Sequence, residues 1–168
     1  MRAAMFTETG GPLTIENVEP APPGPRDVVV KLGASGVCHS DQNAISGKAP
    51  TPMPAVLGHE GAGVIEAVGP GARLQVGQRV ALSWAPACGS CEECNRGLRH
   101  LCGAAWPAMG AGGLMDGTTR LSRDGEPVFH YSFLSTFAEA CVVPEASCVV
   151  IADDDPLDVA SIVGCAVT

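Results

Sequence analysis

Short apolar runs rich in valine and isoleucine recur along this chain, and glycine or proline separates them. Runs of this length and composition are typical of β-strands. They predict strands at Asp27–Leu32, Gly63–Val68, Arg79–Ser83, Glu139–Pro144 and Cys148–Ala152. Many short strands with frequent turns favour a compact β-barrel or sandwich.

Two segments predict short helices. Ala34–Ile45 is a loop that passes into the first helix, and Asp155-Pro156 opens the second, which runs to Val163. An acidic residue before proline is typical of a helix N-terminus. Gly103–Ser135 is rich in glycine with little periodicity, so we expect an extended surface excursion, which at this length is usually functional. The predicted fold is mainly β with short helices.

Composition narrows the class of protein. A length of 168 residues suits one domain, and the acidic residues outnumber the basic ones to give a net charge of −8. Nucleic acid and anionic membranes are excluded as partners, because phosphate binding needs a basic surface that this sequence lacks. The N-terminus has no apolar signal sequence, and no run reaches ~18 apolar residues. We therefore expect a cytoplasmic protein.

Four cysteines with short spacings form the strongest local motif: Cys88, Cys91, Cys94 and Cys102. Two-residue gaps let a turn direct successive thiolates at one tetrahedral ion, and a four-thiolate shell leaves no position for substrate. The motif therefore predicts a structural zinc in a lobe over residues 86–103. Buried free cysteines and a redox dithiol fit the spacing poorly, and spacing alone does not exclude an iron–sulfur cluster.

Three further residues offer a second ligand set: Cys38, His59 and Cys165. A catalytic zinc takes three protein ligands and keeps a fourth position open. Taken singly, each residue is more simply a core thiol or a hydrogen-bonded loop histidine. Spacing alone does not group them.

The order of motifs groups them, because it resembles the zinc-containing medium-chain alcohol dehydrogenases. The resemblance runs through all 168 residues, in the branch with a long loop after the cysteine lobe. Its motifs are Gly36–Asp41 (GVCHSD), Gly58–Val64 (GHEGAGV), the four-cysteine lobe, Pro127–Phe137, Val142–Ala152 and Gly164-Cys165. It implies that residues 1–168 form a GroES-like, partly open β-barrel with a zinc-binding lobe. A Rossmann domain that binds a nicotinamide cofactor is expected after residue 168.

The resemblance also implies roles for single residues. Cys38, His59 and Cys165 would hold a catalytic zinc that polarises the alcohol oxygen. Ser40 would accept the proton of the alcohol, and Asp41 would orient the His59 ring.

Four more residues match functional positions of that family. Glu60 would lie behind the catalytic metal, and His39 would lie near the cofactor pyrophosphate. Trp84 and Phe137 would line the alcohol channel, where a tryptophan favours small or unbranched primary alcohols. An ordinary barrel core and an exposed loop histidine are the simpler alternatives for these positions.

The sequence departs from its relatives at two places. Asn43 stands where some relatives have a histidine that receives the proton, and an amide cannot titrate. Relatives that oxidise the glutathione adduct of formaldehyde carry an arginine where this chain has Trp106, and acidic residues in the loop 47–53 that this chain lacks. These departures disfavour a glutathione adduct as substrate.

The resulting hypothesis is an NAD(P)-dependent alcohol dehydrogenase with two Zn²⁺ per full-length subunit. Its small-molecule partner would be an alcohol or aldehyde, and the full-length protein is expected to be a homo-oligomer. We expect the 168 residues alone to be inactive, because the cofactor domain would lie outside them. The alternative is a stand-alone zinc-binding GroES-like module without catalysis.

Overall fold

The computed structural model describes residues 1–167, which form mainly short strands and four short α-helices. The strands of this part of the chain are β1 (Arg2–Phe6), β2 (Thr14–Asn17), β3 (Glu19–Pro20), β4 (Asp27–Ser35), β5 (Ala55–Val56), β6 (Gly61–Val68), β7 (Arg79–Leu82), β8 (Leu121–Arg123), β9 (Glu126–His130), β10 (Ala140–Pro144) and β11 (Cys148–Val150). The helices are α1 (His39–Ile45), α2 (Glu92–Asn95), α3 (Ala105–Gly110) and α4 (Leu157–Ser161). The predicted mainly β fold with short helices is confirmed.

One sheet has five antiparallel strands in the order β10-β4-β6-β7-β11. These are the five strands that the apolar runs predict, with bounds that differ by at most three residues. Val28 and Val30 of β4 point to the same face and are buried, whereas Lys31 is exposed. Each fully buried aliphatic side chain contributes about 1.5–3 kcal/mol, so the alternation determines which face carries the core.

The second sheet has six strands in the order β2-β1-β5-β9-β8-β3. None of its strands was predicted. The reason is that β3 and β5 have only two residues each and β2 is largely exposed, so neither alternation nor an apolar run marks them. Its core is formed mainly by Met5, Val56 and Val128.

The two sheets meet at residues 137–139, between β9 and β10. The backbone N–H of Ala4 in β1 donates to the carbonyl of Phe137 at 2.8 Å, and that of Glu139 donates to Arg2 at 3.1 Å. On the other side, the N–H of Leu32 in β4 donates to the carbonyl of Glu139 at 3.0 Å. This junction curls the sheets into part of a barrel.

The expectation for Gly103–Ser135 was wrong. The segment is not a surface excursion, since it contains α3, which packs against the cysteine lobe, and β8 and β9, which are two strands of the second sheet. Its buried side chains include Leu114, Leu121, Val128, Phe133 and Leu134. Each element is at most six residues long, which is too short to show a period in the sequence.

Both predicted helices are present. The first is α1, and the second, α4, is shorter at both ends than the predicted Asp155–Val163. Ala160 of α4 packs against Ala62 and Ala81 of the five-stranded sheet, which places the turn after α4 beside β7. Over residues 1–167 no helix is long and apolar enough to cross a membrane.

Candidate functional site

The cysteine lobe brings its four thiols together as its spacing predicts. Two groups of side chains could each hold a metal ion, because the possible ligand atoms of each group lie within 4.8 Å of one another. The first group is Cys88, Cys91, Cys94 and Cys102. The Sγ atoms of Cys88 and Cys94 are 4.0 Å apart, as are those of Cys91 and Cys102. Four sulfurs at about 2.3 Å from a tetrahedral zinc are about 3.8 Å apart. The lobe therefore fits a four-thiolate zinc site.

Local backbone structure lowers the thiol pKa of two of these cysteines, Cys88 and Cys102. The backbone N–H groups of Ser90 and Cys91 point at the Cys88 sulfur and lower the pKa of that thiol to about 6. Cys91 precedes α2, and the Cys88 N–H donates to the sulfur of Cys102 at 3.3 Å. Such N–H donors stabilise a charged sulfur, which is the form that binds a metal.

The second group unites residues from three distant segments: Cys38, His59, Glu60 and Cys165. Cys38 caps the N-terminus of α1, His59 and Glu60 immediately precede β6, and Cys165 lies in the turn after α4. The structure thus groups the three residues that spacing could not, and adds Glu60 to them.

The distances in this group match a tetrahedral ion. The Sγ atoms of Cys38 and Cys165 are 3.9 Å apart, and the Cys165 sulfur lies 3.5 Å from Nε2 of His59. A zinc bound by sulfur and nitrogen has edges of about 3.8 Å between sulfurs and about 3.6 Å between sulfur and nitrogen. Burial, together with the negative charges of Cys38 and Glu60, raises the pKa of the Cys165 thiol to about 12. A cation among these groups would relieve that repulsion.

Asp41 supports this group from behind. Its carboxylate accepts hydrogen bonds from the backbone N–H groups of Cys38 at 3.0 Å and Gly58 at 3.1 Å, and it lies 3.2 Å from Nδ1 of His59. Burial acts to lower the pKa of His59, but the hydrogen bond and charge of Asp41 outweigh it and raise that pKa. Nδ1 is thereby occupied and Nε2 faces the two sulfurs.

Gly58 allows the chain to turn into His59. Its φ is +89°, in the left-handed region that favours glycine, and a Cβ there would lie 2.5 Å from the hydroxyl of Thr136 and 2.6 Å from the Phe137 ring. Thr136 and Phe137 also donate their backbone N–H groups to the carbonyls of Gly58 and Leu57, at 3.0 Å each. The segment after β9 therefore packs directly behind the His59 loop.

Two hydrogen bonds to its backbone carbonyl hold Glu60 in place, and Gly36 leaves room for its side chain. Ser35 donates to the Glu60 carbonyl at 2.9 Å, and Thr136 does so at 3.2 Å. A Cβ on Gly36 would lie 2.0 Å from the Glu60 carboxylate, so a larger residue there would displace the carboxylate from its present position. The sequence did not indicate the roles of Ser35 and Thr136, because hydroxyl residues of this kind are common in any fold.

Helix α1 carries three polar residues that the resemblance singled out. Ser40 is exposed, and its hydroxyl oxygen lies 3.7 Å from the sulfur of Cys38. His39 is exposed at the first position of the helix. Asn43 is half-buried one turn further along. Ser40 is thus adjacent to the candidate metal centre, as the resemblance implied.

The two predicted channel residues have different surroundings. Trp84 lines an apolar cavity of about 790 Å³ together with Cys165, His100, Val159 and Val163. Its ring also packs edge-on against Trp106 with centroids 6.0 Å apart. Phe137 is not among the described residues that line this cavity, and it packs instead between the core of the second sheet and the Gly58 turn.

Tyr131 is a further residue beside the site whose role the sequence did not indicate. Its ring lies edge-on to the His59 imidazole, with centroids 5.6 Å apart, and its hydroxyl donates to the backbone carbonyl of Ser40 at 3.0 Å. Burial raises the pKa of Tyr131 to about 12, and the charges of Asp41, Cys38 and Cys165 add to the effect. Tyr131 is the one tyrosine in the chain, which is the signal that could have singled it out.

Comparison with known proteins agrees with this geometry. The family described as "Alcohol dehydrogenase GroES-like domain" matches residues 24–153. An S-(hydroxymethyl)glutathione dehydrogenase of Aspergillus oryzae is 40% identical over 99% of this chain and 44% of its own length. The chain therefore spans less than half the length of that relative.

Two solved structures share the fold. An alcohol dehydrogenase zinc-binding domain protein from Burkholderia ambifaria superposes with a TM-score of 0.91 at 36% identity, over 98% of this chain and 45% of the other. Benzyl alcohol dehydrogenase from Acinetobacter calcoaceticus has a TM-score of 0.88 at 34% identity, over 98% of this chain and 44% of the other. The GroES-like fold with its cysteine lobe is confirmed.

Proposed function

This chain belongs to the alcohol dehydrogenase family with a GroES-like domain, and on that premise we propose that it carries the catalytic zinc centre of a dehydrogenase that transfers hydride from an alcohol to a nicotinamide cofactor. The observation that carries the proposal is the group of Cys38, His59 and Cys165, whose donor atoms have tetrahedral spacing beside the exposed hydroxyl of Ser40. A purely structural module has no need of an exposed hydroxyl at its metal centre.

Two sulfurs and one imidazole nitrogen form the ligand set of a catalytic zinc site, which leaves one position for water or substrate. Zinc bound there supplies a Lewis acid that polarises the oxygen of the alcohol and makes its proton easier to remove. Cys38, His59 and Cys165 are the proposed ligands, and the carboxylate of Glu60 is close enough to take the open position when substrate is absent. The four thiols of the lobe leave no such position, so we assign them a structural zinc.

The residues of this chain would handle the proton and hold the centre in place. Ser40 accepts the proton of the alcohol through its hydroxyl and passes its own proton outward. Asp41 keeps Nδ1 of His59 occupied, so that Nε2 faces the ligand position. Asn43 offers only hydrogen bonds, so we propose that the proton leaves through cofactor hydroxyls and water or through the exposed His39.

The hydride acceptor needs a site of its own, and we propose that it lies in a Rossmann domain outside these 168 residues. The support is the share of its relatives that the chain spans, 44–45%. His39, on the first turn of α1, would face the cofactor pyrophosphate. Residues of that domain would decide whether NAD or NADP is bound.

For the substrate we propose a small or unbranched primary alcohol, or the corresponding aldehyde. The apolar cavity beside Cys165 and the Trp84 ring support an apolar side chain on the substrate. Trp106 packs against Trp84 and carries no charge that could pair with a glutathione carboxylate. We also propose a cytoplasmic location, because eight cysteines without a disulfide favour a reducing compartment. A homo-oligomer stays a prediction from the resemblance.

The test compares this 168-residue chain with the full reading frame that encodes it. The full-length protein should reduce NAD⁺ or NADP⁺ with ethanol or benzyl alcohol, and the 168-residue chain should not. Cys38→Ser in the full-length protein should abolish turnover and lower the zinc content by one equivalent. A full-length protein with two zinc ions but no alcohol-dependent reduction would favour the alternative, a zinc-binding module. Faster turnover of S-(hydroxymethyl)glutathione than of simple alcohols would overturn the substrate assignment.

A further inference from the structure

The turn that follows β9 has an unusual backbone. Ser132, Phe133 and Ser135 have φ values of +49°, +64° and +55°, in the left-handed region that favours glycine. Phe133 and Ser135 are almost completely buried. Residues other than glycine keep this backbone conformation only when their surroundings impose it, and such residues concentrate at functional sites.

Hydrogen bonds lock this turn at both ends. The hydroxyl of Ser135 accepts the backbone N–H of Tyr131 at 3.2 Å and lies 3.3 Å from Nδ1 of the buried His130. At the other end, Thr136 and Phe137 bind the backbone in front of His59. Tyr131 therefore starts from a backbone position that is fixed relative to the metal centre.

From that position the Tyr131 side chain reaches two parts of the centre at once. Its ring packs edge-on against the His59 imidazole, and its hydroxyl donates to the carbonyl of Ser40 at 3.0 Å. The Ser40 carbonyl lies in the first turn of α1, the helix that also carries Asp41 and follows Cys38. One side chain thus spans the distance between the imidazole and the helix that carries the proton acceptor.

We propose that Tyr131 is a positioning residue that fixes Ser40 relative to His59. The inference rests on the proposed function, since it matters to catalysis only if Ser40 takes the proton. Tyr131 does not touch the reacting atoms in this role. It restrains the first turn of a short, partly exposed helix, and without that restraint the Ser40 hydroxyl would be less well aimed.

A double-mutant cycle tests whether Tyr131 acts through Ser40. Tyr131→Phe keeps the ring against His59 and removes only the hydroxyl. In the full-length, zinc-loaded protein it should lower kcat about 3- to 10-fold, the range for one lost hydrogen bond, with KM little changed. In the Ser40→Ala background it should change kcat by less than about 2-fold, because the group that it positions is gone.

The second measurement does not depend on activity. Hydrogen exchange of the peptide over residues 38–46 should be several-fold faster in Tyr131→Phe, while exchange in β4 and β6 stays unchanged. Thr119→Val is the matched control, because its hydroxyl also donates to a backbone carbonyl, that of Val128, but outside the site. Its effect on kcat should be small and equal in both backgrounds.

Two results would overturn the inference. One is an equal loss of kcat on Tyr131→Phe with and without Ser40, and the other is no loss at all while Ser40→Ala is strongly impaired. If Ser40→Ala alone keeps full turnover, the proposed proton role of Ser40 fails. The exchange measurement then decides separately whether Tyr131 restrains α1, and unchanged exchange refutes it.

Discussion

The carboxylate of Asp41 lies 3.2 Å from Nδ1 of His59, and the two residues are 1% and 4% exposed. The same carboxylate accepts the backbone N–H groups of Cys38 and Gly58. One buried anion thus connects the start of α1 with the loop in front of β6, the two segments that provide the first two proposed ligands. Water cannot compete for these hydrogen bonds, so the geometry of the ligand set depends on Asp41.

Asp41→Asn should therefore weaken metal binding at the Cys38–His59–Cys165 centre by about 10- to 100-fold, the usual effect of losing the partner of a ligating histidine. Competition with a chromophoric chelator measures the affinity. Asp124→Asn is the control, because it makes the same chemical change at the exposed turn between β8 and β9, where asparagine tolerates the positive φ. Equal affinity in both variants would contradict the role of Asp41.

The full-length wild-type protein should hold two zinc ions, and Cys91→Ser in the lobe should remove only one of them. Because the free energy of binding a structural metal is also free energy of folding, the loss should lower the stability of the protein by at least about 3 kcal/mol. Metal analysis and chemical denaturation provide the two measurements. Cys148→Ser, at a thiol outside both groups, should keep both ions. Two ions in Cys91→Ser would refute the four-thiolate site.

Gly58→Ala should destabilise the protein by more than about 2 kcal/mol, because a positive φ and contacts below 3 Å with Thr136 and Phe137 act together. Gly77→Ala is a close control. Gly77 has a φ of +91° against +89° for Gly58, but no atom lies within 4 Å of its added Cβ. We expect a loss of about 1 kcal/mol there. Equal losses in urea denaturation would show that crowding behind His59 is unimportant.

His130 predicts a loss of stability in mild acid. Its burial, with a smaller contribution from Arg120, lowers its pKa to about 4, whereas an unfolded histidine has a value of about 6.5. Between these values the unfolded chain binds a proton that the native protein does not. Stability therefore rises with pH across this window and is lost as the pH falls, by about 2 kcal/mol between pH 7 and 5.

His130→Gln removes this titration and keeps an acceptor for the backbone N–H of Arg120, which His130 accepts at 3.1 Å. The free energy of unfolding of this variant should fall less between pH 7 and 5 than that of the wild type. Both proteins share all other titrating groups, so the difference between their slopes reports His130 alone. Parallel slopes would contradict the prediction.

Proton transfer through Ser40 predicts a contrast between two residues of α1. In the full-length enzyme, Ser40→Ala should lower turnover by about 10²-fold or more, the range for positioned proton transfer. Asn43→Ala should cost little, because the amide cannot act as a base. Asn43→His should add a group that titrates near pH 6.5 and change the pH dependence of kcat there. If Asn43→Ala is as damaging as Ser40→Ala, Asn43 belongs to the relay.

The local pattern of residues in the sequence was sufficient to predict part of the fold. The five strands of one sheet could be predicted because each is an apolar run long enough to show its composition and is bounded by turn residues. The cysteine lobe could be predicted because its ligands are also close together in sequence. Three of its ligands lie within seven residues, and the local turn brings them together whatever the rest of the chain does.

The second sheet could not be predicted, since strands such as Ala55–Val56 exist only because β1 and β9 flank them and pair with them. The second ligand set is a similar case. Cys38 and Cys165 are 127 residues apart in sequence, and resemblance to known proteins grouped them where spacing could not.

The chain by itself therefore determined the β-rich class, the five-stranded sheet and the lobe, because these depend on neighbours in sequence. Tertiary packing decided the rest: α4 lies against Ala62 and Ala81 and directs Cys165 toward His59, and the strained turn after β9 brings Tyr131 to Ser40. Contacts between such distant residues leave no period or spacing in the sequence, because either partner could occur alone in any fold.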